Sequence, residues 1–404
     1  MKWESEINKT MKTRNLSPRV RAVGAIDWHR RLFDELIPLP DGTTYNSYLV
    51  RGSDATALID TVDPTCSREL FANLKEAGVD KIDYLVANHA EQDHSGTIPA
   101  VLERFPGVKV VSNAKCRDML IDLLDLNSED FITVADGDTL SLGDLTLEFM
   151  ITPWVHWPET MMTYLRQEKI LFSCDFLGSH LAQSSTWVSD RNRTRETAKR
   201  YYAEIMMPFR HLIPKYLERI AELQPAIIAP SHGPVHQEPA LILEAYEEWV
   251  NGPVVNKVLI PFVSMHGSTA AMVDHLVSAL AELEIPVIPF NLTVTDLGTL
   301  AIETVDAATI IIASPTVLGG PHPAVVSAAY FLGAVKPKTR YLGVIASQGW
   351  GGRLPEVLAE LTKGLKSERL PTVMAKGFPK NDDFRALDEL AEAIAAKHRD
   401  LGQA

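Results

Sequence analysis

The chain has 404 residues, with 39 Lys plus Arg against 52 Asp plus Glu, and so a formal charge of −13. At roughly 100–200 residues per domain this length predicts two or three domains, and 46% hydrophobic with 23% charged residues excludes disordered and fibrous classes. The acidic balance argues against a nucleic-acid partner, which selects a basic stripe, and no apolar run reaches the roughly 18–20 residues that a membrane span needs.

The N-terminal stretch MKWESEINKTMKTRNLSPRVRAVG is basic in places but lacks the apolar segment of a secretory signal, so a soluble, cytoplasmic protein is expected. Strand signals follow at Thr44–Val50, Ala57–Asp60 and Ile82–Ala87, with a helix over Cys66–Gly78 between the last two. A second helix is predicted from Gly96 to just before Pro106, and strands at Val108–Val111, Leu145–Ile151 and Lys169–Phe172. Ala135-Asp-Gly-Asp138 reads as a hairpin-like turn, so the first part is mixed α/β rather than strictly alternating. The break comes at Asn251-Gly252-Pro253, after a helix over Leu241–Val250, which divides the chain into residues 1–251 and 252–404. Beyond it strands at Lys257–Val263, Val287–Phe290, Thr309–Ala313, Tyr341–Ala346 and Thr372–Ala375 alternate with helices at Ala270–Leu283, Pro323–Leu332, Leu354–Gly364 and Asp383–His398. That rhythm predicts an open, doubly wound parallel sheet of five strands with helices on both faces.

Chemistry concentrates after the Ile82–Ala87 strand, in Asn88-His89-Ala90-Glu91-Gln92-Asp93-His94-Ser95-Gly96. An ordinary polar loop with a capping Asp explains one such residue, not four metal-competent side chains in six positions. In an extended loop, alternate residues share a side, so His89, Glu91 and Asp93 converge and His94 turns toward a second metal. Further candidates each follow an apolar strand: His156 in TPWVHWP, Asp175 in LFSCDF and His232 in IIAPSHG. The three cysteines, Cys66, Cys116 and Cys174, form no CxxC pair, so a metal here is held by His and carboxylates.

In the second part the Lys257–Val263 strand runs into Ser264-Met265-His266-Gly267-Ser268-Thr269 and then a helix, a set of hydroxyls and backbone N–H groups suited to a phosphate. It has neither the Lys of a nucleoside-triphosphate loop nor a GxGxxG. Ser314-Pro315-Thr316-Val317-Leu318-Gly319-Gly320 and Ser347-Gln348-Gly349-Trp350-Gly351-Gly352 follow later strands; their glycines admit a flat ring and Trp350 offers a stacking face. Three such loops in a doubly wound order point to FMN.

Taken together the metal motifs resemble the metallo-β-lactamase superfamily, whose loop reads His-x-His-x-Asp-His, over about residues 43–250. Here the middle His is Glu91. Three carboxylates (Glu91, Asp93 and Asp175) against two divalent cations leave one positive charge, enough for a hydroxide, and so anionic a site favours iron over zinc and redox chemistry over hydrolysis. The second part resembles a flavodoxin, with His266 where its phosphate loop usually carries Thr. The pair of domains, an αββα sandwich followed by a flavodoxin-like sheet, resembles the flavodiiron proteins (A-type flavoproteins). That resemblance implies an enzyme reducing O2 to water, NO to N2O, or both, at two non-haem irons, with FMN relaying electrons. It implies that His89, Glu91 and His156 hold one iron, that Asp93, His94 and His232 hold the other, and that Asp175 bridges, with Glu91, Asp175 and His94 closest to the chemistry. His180, Tyr201 and Tyr202 are candidates for outer hydrogen bonds or for packing. It further implies a head-to-tail homodimer or dimer of dimers and, because this sequence has no rubredoxin-like cysteine pairs, a separate donor, either rubredoxin or reduced 8-hydroxy-5-deazaflavin coenzyme. The rival readings are a zinc hydrolase with a flavodoxin-like docking domain and an electron carrier without catalysis.

Overall fold

The computed structural model describes residues 14–402, so most of the stretch on which the leader expectation rests lies outside the described residues. The chain forms two compact units, Met1–Tyr202 with Phe209–Glu247, and Ala203–Pro208 with Glu248–Ala404. No helix of the described residues is long and apolar enough to cross a membrane.

The first unit is built on two sheets. One runs in the order Arg14–Asn15, Val20–Ala22, Tyr48–Arg51, Thr56–Ile59, Tyr84–Val86, Lys109–Asn113 and Phe131–Val134. The other runs Thr139–Ser141, Thr146–Ile151, Met161–Leu165, Ile170–Cys174 and Ile227–Pro230. Successive residues of a strand face opposite sides, and both sides are covered here. Leu49, Leu58, Leu85 and Val110 pack into a core with the helices Ser67–Glu76, Ile98–Arg104 and Ala114–Leu124. Their neighbours Tyr48, Val50, Ile59, Val86 and Val111 meet Leu147, Phe149, Met161, Ile170 and Phe172 of the facing sheet. Burial on both faces is why these strands read as unbroken apolar runs.

Several local expectations change. The strand predicted over Thr44–Val50 is two: Thr43–Tyr45 pairs with Ala25–Asp27 in a separate two-stranded sheet, and Tyr48–Arg51 joins the seven-stranded one. Ala135–Asp138 is not a hairpin: it carries the chain from Phe131–Val134 in one sheet to Thr139–Ser141 in the other, with Gly137 at φ +82° making the turn. The helix Arg191–Tyr201, RNRTRETAKRY, was not expected because its apolar content is low; Asp190 caps it by accepting from Arg193 N–H.

In the second unit the strands run Val287–Asn291, Val255–Phe262, Ala307–Val317, Tyr341–Gln348, Val373–Lys376, all parallel, with the short Glu368–Arg369 also on Tyr341–Gln348. Numbered along the chain, the five principal strands lie in the order 2-1-3-4-5 of a flavodoxin-like sheet. Val258, Ile260, Ile311 and Ile345 pack with helices Ser268–Glu282 and Asn381–His398. Leu259, Ile310, Ile312 and Leu342 pack with Leu297–Thr304, Pro323–Val335 and Leu354–Leu361 on the other face. The predicted loop at Ser314–Gly320 is instead the end of a long strand that turns back through Gly319, at φ +78°, to pair Thr316 with Pro321.

Candidate metal centre and flavin cleft

Strand ends of the first unit bring the seven candidate ligands together. The backbone N–H of Asn88 and its side-chain amide both donate to the buried Asp60 carboxylate at 2.8 Å, fixing the exit of the Tyr84–Val86 strand just before His89. Gln92–Ser95 is one helical turn rather than extended chain, and Thr61 N–H donates to the His94 carbonyl at 2.8 Å. The turn separates Asp93 from Glu91, so the loop serves two clusters, not one. The turn corrects the reading from loop alternation that put Asp93 with His89 and Glu91, and it agrees with the grouping implied by the resemblance, Asp93 with His94 and His232. Asp175 follows a register shift between Phe172 and Cys174, and Cys174 sits at φ +55°, a local irregularity that aims the next side chain into the site.

His89 Nε2 lies 3.0 Å from Glu91 Oε2 and 3.5 Å from Asp175 Oδ2. His156 Nε2 lies 3.2 Å from the same Glu91 oxygen and 3.3 Å from the same Asp175 oxygen. The second cluster uses the other oxygen: Asp175 Oδ1 is 3.1 Å from His94 Nε2 and 3.3 Å from His232 Nε2. Asp93 completes it at 3.2 Å from His94 and 3.1 Å from His232. Asp175 therefore spans two groups, each with two imidazoles and one further carboxylate, the set that suits non-haem iron.

Both Asp175 oxygens, both Asp93 oxygens and the Nε2 atoms of His94 and His156 are buried without a well-directed hydrogen bond. They approach one another at edge-to-edge distances of the kind two ligands make on one cation with bonds of about 2.0–2.2 Å. They point at shared centres rather than at each other, and so the donor set fits a pair of metal ions. Burial works against a charged imidazole, yet the negative charges of Asp175 and Asp93 beside it push His232 up to about 10, and those of Asp175 and Glu91 push His156 up to about 9. Burial likewise opposes a charged Asp175, but the surrounding histidines hold it well below its ordinary value.

Outer groups set which nitrogen faces the centre. His232 Nδ1 donates to the Thr44 carbonyl at 2.6 Å, leaving Nε2 as the ligand atom. His89 Nδ1 donates to Glu159 Oε1 at 2.7 Å. Sequence reasoning missed Glu159 and Asp60, and no local signal marks either. His180 is buried with its ring 5.0 Å from that of His232 and 4.8 Å from that of Tyr201, its Nδ1 against Thr43 Oγ1 at 2.9 Å. Tyr202 stacks edge-on with Tyr246 at 5.4 Å, a packing contact.

In the second unit an open cleft of about 270 Å³ is lined by Ser264, Met265, His266, Ser268, Thr269, Pro315, Thr316, Ser347, Gln348, Gly349 and Trp350. Gly377 joins them; it follows the last strand and was not singled out. Gly267, at φ +86°, starts the helix Ser268–Glu282 behind the cleft, and Ser264 Oγ accepts from Ala270 N–H at 3.1 Å to hold the turn. Thr269 Oγ1 and Ser347 Oγ share a hydrogen bond of 2.9 Å across two of the loops. Ser314 is buried and ties the hairpin instead, accepting from His322 N–H at 3.0 Å. Val317, Leu318, Gly319 and Gly351 are not among the lining residues, and Leu318 is fully exposed. Thr316 Oγ1 is buried with no partner, and Trp350 is 77% exposed at the rim. Hydroxyls at a helix start, an orphaned hydroxyl and an unpacked indole are what a bound flavin phosphate and ring would satisfy.

Residues 43–233 match the model of the ODP family beta lactamases. Over 94% of this chain and 97% of the other, the sequence is 35% identical to a nitric oxide reductase of Moorella thermoacetica. It is 33% identical to the type A flavoprotein fprA of Rhodobacter capsulatus, over 88% of this chain and 84% of that one. Among solved structures, the rubredoxin oxygen:oxidoreductase of Desulfovibrio gigas superposes with a TM-score of 0.93 at 29% identity, covering 97% of this chain and 100% of that one. With its lactamase-like sandwich, its 2-1-3-4-5 sheet and relatives alike over nearly their whole length, the chain belongs to the flavodiiron family of type A flavoproteins.

Proposed function

We propose that this protein is a flavodiiron oxidoreductase that reduces O2 to water, NO to N2O, or both, with electrons arriving through FMN from a separate donor, reduced rubredoxin or reduced deazaflavin coenzyme. The observation that carries the reading is Asp175, whose two oxygens serve two clusters of two histidines and a carboxylate each. Bound there, two iron ions would take up the gas and deliver electrons to it, and FMN would supply those electrons in turn.

The chain's own residues have separate tasks. His89, Glu91 and His156 hold one metal, Asp93, His94 and His232 the other, and Asp175 joins them. Glu159 and the Thr44 carbonyl keep protons on the Nδ1 atoms so that the Nε2 lone pairs face inward. Six of the seven ligands are buried, which strengthens every electrostatic interaction among them and keeps bulk water out. Ser264, Ser268, Thr269 and the N–H groups around Gly267 would hold the FMN phosphate, and Thr316, Ser347, Gly349 and Trp350 would line the space for its ring. A diatomic gas needs no large pocket, in keeping with so enclosed a centre.

The unit boundary of this reading falls at Asn251-Gly252-Pro253, with iron chemistry in residues 1–251 and flavin in 252–404. The working assembly is a cytoplasmic head-to-tail homodimer, alone or paired into a tetramer, in which the flavin of one chain serves the di-iron site of its partner. Met265, Leu318 and Trp350 are large apolar side chains left exposed around the flavin cleft, which supports a protein surface docking there.

The test is direct. Purified protein should carry two irons and one FMN per chain and, once reduced by dithionite under anaerobic conditions, should consume O2 or NO. A colourless zinc protein would return the reading to hydrolysis, and a yellow protein without iron to a simple carrier.

A further inference from the structure

The two metal positions match in their donors, but His89 of the one and His232 of the other are backed by different acceptors. Each has two imidazoles and a carboxylate, and each takes one oxygen of Asp175. Behind His232 the acceptor is the neutral carbonyl of Thr44, 2.6 Å from Nδ1. Behind His89 it is a carboxylate, Glu159 Oε1, 2.7 Å from Nδ1. Both fix the same tautomer, yet they differ by a full negative charge. The side chains of His89 and Glu159 are both entirely buried, so water screens that charge little.

Glu159 is held firmly in this role. The same Oε1 accepts from Ala90 N–H at 3.0 Å, and the Glu159 carbonyl accepts from Asn113 Nδ2 at 2.5 Å. Its other oxygen, Oε2, is buried with no hydrogen-bond partner. A carboxylate drawing on the Nδ1 proton makes an imidazole a stronger donor at Nε2. Stronger donation stabilises the higher oxidation state of a metal.

We infer that Glu159 is a positioning residue that makes the two irons unequal, lowering the reduction potential of the ion held by His89, Glu91 and His156 below that of the ion held by Asp93, His94 and His232. When one equivalent of an added oxidant takes one electron from the fully ferrous pair, that electron leaves the His89-side ion, and the Nδ1 proton stays on the ring, shared with Glu159. The inference rests on the di-iron reading above.

The experiment is a potentiometric titration of the iron- and FMN-loaded protein followed by electron paramagnetic resonance, with Glu159→Gln and Glu159→Asp beside the wild type. Only the pair with an odd electron count gives the low-temperature iron signal, so its peak height reports the gap between the two one-electron steps. In Glu159→Gln the lower-potential step should rise while the other stays. The comproportionation constant should then fall about tenfold, about 59 mV for a one-electron couple, and the peak signal should shrink. Glu159→Asp, which keeps the charge but draws it back, should shift the same step the same way by less. If Glu159→Gln fails to retain two irons, Glu159→Asp decides by the same criterion. Unchanged potentials in an iron-replete variant, or an equal rise of both steps, would overturn the inference and leave the di-iron reading standing. Wild-type protein purified without iron and unable to bind it would overturn both.

Discussion

Glu91 occupies the position at which the resembling hydrolases carry a histidine, and it faces both His89 and His156 within 3.2 Å. In the proposed centre its negative charge would partly neutralise a buried cation that an imidazole would leave more positive. Glu91→His should keep the fold, because the loop is fixed by Asp60 and Thr61 rather than by this side chain. Its O2 and NO consumption should fall by at least the roughly 10–100-fold seen when outer ligand partners are disturbed. Gas-electrode assays on protein of measured iron content check this; undiminished turnover with two irons bound would remove Glu91 from the site. A second residue bears on stability. His398 is buried between Asn256 Oδ1, which accepts from Nδ1–H at 2.7 Å, and Thr309 Oγ1, which donates to Nε2 at 2.6 Å. Burial pushes it down to about 4 from 6.5, so the folded chain keeps the ring neutral while the unfolded chain takes up a proton. Stability contributed by this neutral ring is fully present above about 6.5, is lost as pH falls toward about 4, and changes no further below that. The expected loss is about 1–3 kcal/mol, read as a drop in the urea midpoint of the second unit between pH 7 and pH 4.5. His398→Gln should flatten that dependence; an equally steep fall in the variant would place the titrating group elsewhere.

At the scale of elements, the flavin cleft depends on how one helix begins. Gly267 adopts φ +86°, which L side chains rarely take, and nothing lies within 4 Å of where its Cβ would stand. Gly267→Ala is therefore strained by the backbone alone and should weaken FMN binding by about 1 kcal/mol, roughly fivefold in Kd. Ser264→Ala removes the hydroxyl that accepts from Ala270 N–H and should weaken binding by a similar factor. Trp350 is a different kind of contributor. Stacking adds about 0.5–1.5 kcal/mol, so Trp350→Ala should raise the FMN Kd about 2- to 10-fold without changing iron content. Flavin-fluorescence titrations of the apoprotein measure all three. Wild-type affinity and an unshifted flavin potential in Trp350→Ala would place the indole away from the ring.

For the whole molecule the decisive question is whether electrons pass between chains. An iron-site variant, His89→Ala with His156→Ala, and a flavin-site variant, Ser264→Ala with Thr269→Ala and Trp350→Ala, should each be inactive as homodimers. Co-expressed hybrids should recover gas reduction at one of their two centres, because in the proposed head-to-tail pairing one intact flavin would face one intact iron pair. A symmetric two-fold pairing is the commonest oligomer and places both flavins alike. Hybrids that assemble but stay inactive would confine the electron path to a single chain.

Read alone, the sequence determined the five principal strands of the second unit and four of its helices, because strands buried on both faces and helices with one apolar stripe leave local, periodic marks; the eight-residue helix Leu297–Thr304 is too short to leave one and was not read. It also marked four of the seven ligand candidates, His89, Glu91, Asp93 and His94, since four metal-competent side chains in six positions is a density that polar loops do not reach; His156, Asp175 and His232 stood out only through the resemblance. Loop alternation misread how those ligands are shared; the tertiary structure gives the grouping that the resemblance implied. A single helical turn at Gln92–Ser95 sends Asp93 to His94 and His232, and the two oxygens of Asp175 divide between clusters. Tertiary structure decided the hairpin at Thr316–Pro321, where strand pairing extends through residues whose composition reads as a loop. It also decided the outer partners: Glu159 reaches His89 across 70 positions and Thr44 reaches His232 across 188. Separations of that size leave no periodic trace, because the residues meet only once the two sheets have packed and buried them.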